Sequence, residues 1–428
     1  MMRRGNSAVP GDEAMADAPI RRVRAADLGR TDFDVLVIGG GINGAGIARD
    51  AALRGLSVAV VEQGDFASGT SSRSSKLIHG GIRYLQMGHL RLVLESCRER
   101  ERLRRLAPNL VQPQRFVYPV YRSTPVPRWQ LKLGLLGYDL LAGWWSVERH
   151  RMLSTAQVSE WEPGLRTDGL RGAGVYFDAR TDDARLVVEN MLSAAAEGAQ
   201  VASYVQVAAL RKVDGEVVGA WVHDLLTGDQ VEVRARVVVN ATGPWVDQVL
   251  ALDQPGQPAR LRLTKGAHIV VARDRLPHRD AIVLHAVRDQ RVMFVIPWGT
   301  HSLIGTTDTD HHGGPETPPV VDAADVEYLL ETVNHYFPDA HLVPADVVSG
   351  FAGLRPLVAP PAVAGLSPSR TSREEEILVS ASGLVSIAGG KLTTYRIIAG
   401  HVVDRVVTRL RGRGVTRPIG PSCTADRT

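Results

Sequence analysis

The chain has 428 residues, of which 44% are hydrophobic and 22% charged, with a formal net charge of +4 and 2 cysteines. That length accommodates two domains with a sizeable core, and the composition is that of a soluble globular protein. Cys97 and Cys423 stand too far apart for a disulfide framework or a metal site, and no nucleic-acid motif accompanies the mild basicity, so a reducing, cytoplasmic setting without a nucleic-acid partner is expected.

Residues 1–30 read as a disordered lead-in of Gly, Pro, Ala and Arg without apolar periodicity. Neither Arg3-Arg4 nor Arg21-Arg22 precedes an apolar stretch, so a signal peptide is not expected. From Val35 to Glu62 the sequence VLVIGGGINGAGIARDAALRGLSVAVVE predicts a strand, a glycine turn, a helix and a second strand ending in an acid. This order suits a dinucleotide. Gly39 allows the tight turn, Gly41 lets the backbone approach a pyrophosphate, and Gly44 lets helix and strand pack closely. The helix N-terminus faces the phosphate charge, and Glu62 can accept hydrogen bonds from ribose hydroxyls.

A loop of small residues, 64–75, comes next, and Leu90 to Leu106 has helical apolar spacing stopped by Pro108. Residues 111–170 read as an inserted, irregular region. Within it WQLKLGLLGYDLLAGWW, Trp129 to Trp145, is too short and too often charged to span a membrane. Its Leu and Trp residues, among them Leu135, Leu136 and Trp144, between Arg128 and Arg149, suit an interfacial helix as well as a buried one. Asp183 to Gly198 predicts a helix capped by Asp182 or Asp183. Val201–Leu210 and Val217–Asp224 predict strands joined by an Asp214-Gly215 turn, and Arg236–Asn240 a further strand. From Leu261 the segments HIVVA, AIVLH, VMFVIPW and HSLIGTTDT resemble one antiparallel sheet. A helix over Ala323–Phe337, a loop FAGLRPL, a strand ending at Ile387 and a helix over Ile397–Leu410 follow.

Beyond the glycine turn, three stretches carry chemistry. TSSRSSKLIHGGIRYL, Thr70 to Leu85, gathers hydroxyls, small residues, Lys76, His79, Arg83 and Tyr84, as a cofactor loop running into an anion site would. NATGPWVD follows a strand, placing its Thr-Gly where α/β sheets bind ligands. In GGKLTTYR, glycine amides, Lys391 and two threonines open a helix whose N-terminus can stabilise negative charge on a reduced ring.

IGGGINGAGIARDAALRGLSV, TSSRSSKLIHGGIRYL, NATGPWVD, KGAHIVV, FVIPW, IGTTDTD, GLRPL and GGKLTTYR occur in this order over residues 33–410. Together they resemble the FAD-dependent glycerol-3-phosphate dehydrogenases, in the wider group built like D-amino-acid oxidase. The resemblance implies an α/β fold: a Rossmann-like FAD-binding domain with an inserted antiparallel-sheet substrate domain. The expected division assigns 31–98, 172–260 and 346–412 to the FAD domain and 99–171 and 261–345 to the substrate domain. The tail 413–428 would begin the C-terminal helical domain into which the family usually continues. A natural short form and a truncated gene product both remain open for a chain ending SCTADRT.

By resemblance, Gly39, Gly41, Gly44, Glu62, Ser71, Ser72, Lys76, Gly81, Gly243, Gly390, Leu392 and Thr393 contact FAD. Arg83, Tyr84, Arg355, Arg373 and Lys391 form the substrate site, although SREEE around Arg373 departs from the usual surroundings. The implied reaction oxidises sn-glycerol 3-phosphate, with Arg355 stabilising the developing alkoxide and His79 or Lys391 receiving its proton. No metal is expected. Electrons would pass to a quinone at the cytoplasmic face of the membrane, through peripheral contact. An oxidase that returns electrons to oxygen, and an inactive FAD-binding remnant, are the alternatives. The oligomeric state, a homodimer included, stays open.

Overall fold

A parallel strand core begins near the start of the chain and is completed near its end. In the computed structural model, which describes residues 22–82, 90–142, 148–358 and 375–423, β1 (Asp32–Ile38) leads through the helix Ile42–Leu53 to β2 (Val58–Glu62). The chain then passes through β3 (Leu77–Ile78), the helix Leu90–Leu106, β4 (Gln112–Tyr121), the helix Arg128–Ala142, β5 (Arg151–Leu153) and β6 (Leu170–Arg180). It returns by the helix Asp183–Ala196 to β7 (Gln200–Ser203), β8 (Val205–Val213), β9 (Glu216–Asp224) and β10 (Gln230–Asn240). A second excursion makes β11 (Leu261–Ala272), β12 (Ala281–His285), β13 (Val292–Trp298), β14 (His301–Gly305), β15 (Thr309–Asp310), the helix Ala323–Tyr336 and β16 (Val347–Val358). Last come β17 (Glu376–Val379), β18 (Val385–Ala388) and the helix Tyr395–Gly412.

Among the described residues these strands form two sheets. The first has the order β17-β18-β10-β1-β2-β7, with the β8–β9 hairpin added to β10. β18, β10, β1, β2 and β7 are mutually parallel. Parallel sheets are covered on both faces, and β1 shows how. Val35 and Val37 pack with the helices Ile42–Leu53, Asp183–Ala196 and Tyr395–Gly412, while Leu36 and Ile38 face the layer made by Leu28, Val217 and Val222. The second sheet has the order β15-β11-β14-β13-β12-β4-β6-β3, with β16 paired to β11 and β5 to β6. It is antiparallel except at β4–β12, where Ala281 pairs with Phe116 in parallel. The whole is the expected α/β fold, a Rossmann-like domain with an inserted, largely antiparallel sheet domain.

Several boundaries need correction. FAGLRPL is not a loop but part of β16, paired with β11 from Leu261↔Val358 onward, so 347–358 belongs to the second sheet and not to the FAD domain. β3 and the 172–180 part of β6 likewise belong to the second sheet. Residues 111–170, read as irregular, supply β4, β5 and two helices to that sheet's domain. The strand over Val201–Leu210 breaks at Tyr204, whose φ of 59° turns the chain from β7 into β8. Of the lead-in, residues 25–28 form a helical turn with Ala25 and Leu28 fully buried, anchored by Asp224, which accepts from the Ala25 N–H and pairs with Arg22 at 2.8 Å. Tail residues 415–423 pack against the Ile42–Leu53 helix, where the Cys423 N–H donates to Asp50 and Gly420 N–H to the Arg54 carbonyl.

The Arg128–Ala142 helix is two-faced. Leu131, Leu135 and Tyr138 are buried against β6, whereas Trp129, Leu133, Leu136 and Leu140 are exposed. Leu135→Ala is therefore expected to cost about 2–5 kcal/mol in urea unfolding. Leu140→Ala, 83% exposed, should stay within about 0.5 kcal/mol of wild type. Equal losses for the two would contradict this placement.

Candidate active site

The strands β1, β2 and β10 all end at one edge of the first sheet, and the turn after β1 opens there. Gly39 takes a φ of 110° and its N–H donates to Val61 O, which bends the chain away from β1. A side chain at Gly44 would collide with the Gly39 carbonyl, so the helix start sits directly on the turn. Gly41 is the N-cap residue and has no capping side chain, leaving the first helical amides directed out of the helix end. Ser71 Oγ accepts from the Ile42 N–H at 2.9 Å. Glu62 accepts from the Gly40 N–H at 2.6 Å and the Gly64 N–H at 2.8 Å. Burial raises its pKa, and these two amides work against that rise.

A cavity of about 590 Å³ opens from this turn and takes its walls from both sheets. Gly39, Gly41, Glu62, Ser71, Gly81, Gly243, Gly390, Leu392 and Thr393 line it, together with His79, Arg355 and Lys391. Gly44, Ser72 and Lys76 stand behind the wall. The Lys76 ammonium pairs with the buried Asp183 at 2.6 Å and donates to Ser72 O at 3.0 Å, tying the loop to the Asp183–Ala196 helix. Arg83, Tyr84 and Arg373 lie outside the described residues. Lys391 precedes the turn Leu392–Thr394, which runs into the Tyr395–Gly412 helix, so the positive end of that helix dipole points at the cavity.

The second sheet contributes the charged wall. Arg355 lies across β11 above Gly266, where any side chain would strike the guanidinium. Its Nη2 donates to Thr306 Oγ1 at 2.8 Å and Thr307 O at 3.2 Å, and its Nη1 to Asp308 Oδ1 at 3.2 Å. Arg291 holds the other oxygen of Asp308 at 2.7 Å. His268 is fully buried, with Nε2 2.9 Å from Ser75 Oγ and its ring stacked on Phe351 at 4.9 Å. Burial first, then the Arg355 and Lys76 cations, lower its pKa to about 3, so it is neutral at ordinary pH.

His268, Arg291, Thr306 and Asp308 were not nominated from sequence. His268 and the pair Thr306 and Asp308 lie inside KGAHIVV and IGTTDTD, stretches that carry the resemblance without pointing to a role for any one residue. Arg291 follows a polar turn and reads locally as a surface cation.

The FAD dependent oxidoreductase family matches residues 34–396. The chain is 41% identical over 392 residues to the aerobic glycerol-3-phosphate dehydrogenase of Staphylococcus haemolyticus, covering 91% of this chain and 70% of that protein. It is 40% identical over 400 residues to the Bacillus subtilis protein of the same name, covering 94% and 71%. Among solved structures, the glycerol-3-phosphate dehydrogenase of Bacillus halodurans complexed with FAD superposes with a TM-score of 0.76 at 36% identity, covering 94% of this chain and 68% of that one.

The residues here fit FAD. A Cβ at Gly41 would meet only Ser71 Oγ, at 3.1 Å, so that side of the turn is open to a close-approaching pyrophosphate. The cavity continues from Glu62 past Gly243 to the Lys391–Thr393 turn. Since Gly41 has an ordinary φ of −82°, Gly41→Val is expected to fold with a native circular-dichroism spectrum and to purify colourless. A yellow, fully loaded Gly41→Val protein would overturn this placement of the cofactor.

Proposed function

Because the chain belongs to the FAD-dependent oxidoreductase family, and within it to the aerobic glycerol-3-phosphate dehydrogenases, we propose that it oxidises sn-glycerol 3-phosphate to dihydroxyacetone phosphate. The observation that carries this reading is the cationic wall, where Arg291 and Arg355 flank Asp308. Planar guanidinium forks suit phosphate oxygens, and an amine substrate's single carboxylate has no need of so many cations. Arg83, Tyr84 and Arg373 complete the substrate set on the strength of the resemblance.

FAD, when bound, supplies the two-electron acceptor. The chain's own residues orient the substrate and manage one proton. Arg355, held by Thr306 and Asp308, stabilises the substrate oxygen as its proton leaves. His268 is neutral and already held through Nε2 by Ser75, and taking the proton would make it an imidazolium beside Arg355 and Lys76. The proton therefore passes to His79, or to Lys391 in its neutral amine form.

The onward acceptor is a quinone, reached at a membrane surface. Supporting this is the outer ridge Trp129, Leu133, Leu136 and Leu140, spaced along one helical face with Arg128 and Lys132 beside it. Leu135, which the sequence places with that ridge, is buried, and Trp144 lies outside the described residues. No helix among the described residues is long and apolar enough to cross a membrane.

Arg355→Lys is expected to keep its FAD and to slow anaerobic flavin reduction by sn-glycerol 3-phosphate by about 10²–10³-fold in stopped flow. A rate within about twofold of wild type would remove Arg355 from this role. The wild type should turn over faster with a soluble quinone analogue than with oxygen. It should also sediment with anionic liposomes in a salt-sensitive way, lost when Trp129, Leu133 and Leu140 become Ser. Peroxide release matching the quinone rate, without liposome binding, would favour an oxidase.

A further inference from the structure

We propose that Tyr138, acting with Asp178 and Arg100, is a positioning residue that fixes the Gly80 peptide and thereby the placement of His79 at the cavity. The inference rests on the role given above to His79.

The three side chains come from separate elements, the helices Arg128–Ala142 and Leu90–Leu106 and the strand β6, and each is at most 3% exposed. The Tyr138 hydroxyl donates to Asp178 Oδ1 at 2.5 Å and accepts from the Gly80 N–H at 3.0 Å. The same N–H lies 3.0 Å from Asp178 Oδ1. Arg100 Nη1 donates to Asp178 at 2.5 Å, and to the Tyr138 hydroxyl and Phe177 O at 3.0 Å each. A side chain at Gly80 would strike the Tyr138 hydroxyl and the Cys97 sulfur, so the backbone itself must come this close.

On the other side of the turn, Thr393 Oγ1 accepts from the His79 N–H at 3.1 Å and donates to the His79 carbonyl at 3.3 Å. His79 is thus clamped between the Lys391–Thr393 turn and the buried trio, and both proposed proton acceptors hang from one fixed backbone. A buried ion pair adds little net stability over apolar side chains of the same volume. What it adds here is a definite geometry for the peptide it binds, and small displacements of a reacting group are costly in rate.

Tyr138→Phe removes the hydroxyl and keeps the ring. In the FAD-loaded full chain, FAD content and KM for sn-glycerol 3-phosphate should stay within about twofold of wild type. The limiting rate of flavin reduction should fall by about tenfold or more, with a shifted pH profile. Hydrogen exchange read by mass spectrometry should accelerate in peptides covering 77–82, and Asp178→Asn should give the same pattern. Unchanged exchange in that segment overturns the proposal, as does a slower rate with an unshifted pH profile. Loss of FAD together with a collapsed thermal midpoint in both variants marks the trio as merely structural and also overturns it. If sn-glycerol 3-phosphate does not reduce the wild type, the substrate reading fails, and the exchange measurement still decides the clamp.

Discussion

Gly44 lies so close to the Gly39 carbonyl that no side chain fits between them, and that approach decides where the Ile42–Leu53 helix points. The helix end then looks out over the C-terminal ends of β1, β2 and β10, with Glu62 drawn onto the Gly40 and Gly64 amides beside it. In an open parallel sheet this edge is where ligands collect, because helix dipoles and unpaired amides converge there. The rest of the molecule is arranged around that edge. The excursions that build the second sheet bring its charged face back over it, and the Lys391–Thr394 segment closes the remaining side.

The two sheets divide the work. The first supplies mostly backbone: glycine turns, helix ends and hydroxyls able to hold a flat, anionic cofactor, with Glu62 as its acid. The second supplies side chains whose charge and protonation are set by their neighbours. Asp308 sits between Arg291 and Arg355, so both guanidinium groups are oriented before any substrate arrives. Preorganised donors of this kind need no rearrangement as charge develops on a substrate oxygen. His268 follows the same logic in reverse, since burial first, and then the cations beside it, keep it neutral.

Much of the first sheet was legible in the sequence because its local signals agree with its tertiary role. The turn at Asp214-Gly215 is one case: φ values of 50° and 81° match the left-handed pair that Asp-Gly supplies, and it joins β8 to β9 as expected. The second sheet was harder to read. Gly353 and Pro356 argue locally for a loop at FAGLRPL. Yet among the described residues β16 pairs with β11 alone, at the sheet edge, where the missing N–H of a proline costs no ladder bond. The boundary expected at 171/172 falls inside β6, all of which pairs in the second sheet. The charged wall was legible only where a residue sat inside a long motif. Arg291 and Asp308 meet through tertiary pairing of β13 and β14, which spacing along the chain does not encode.

The central claim is that this cavity recognises the phosphate of its substrate and uses that contact to orient the carbon to be oxidised. Binding energy from a non-reacting group appears in the rate of the reacting one. The most direct measurement is anaerobic flavin bleaching of the purified protein by sn-glycerol 3-phosphate and, separately, by glycerol at equal concentration. The account predicts rapid loss of the oxidised-flavin absorbance with the phosphate ester and bleaching slower by about 10²-fold or more with glycerol. Equal rates with the two, or no bleaching by sn-glycerol 3-phosphate, would contradict it.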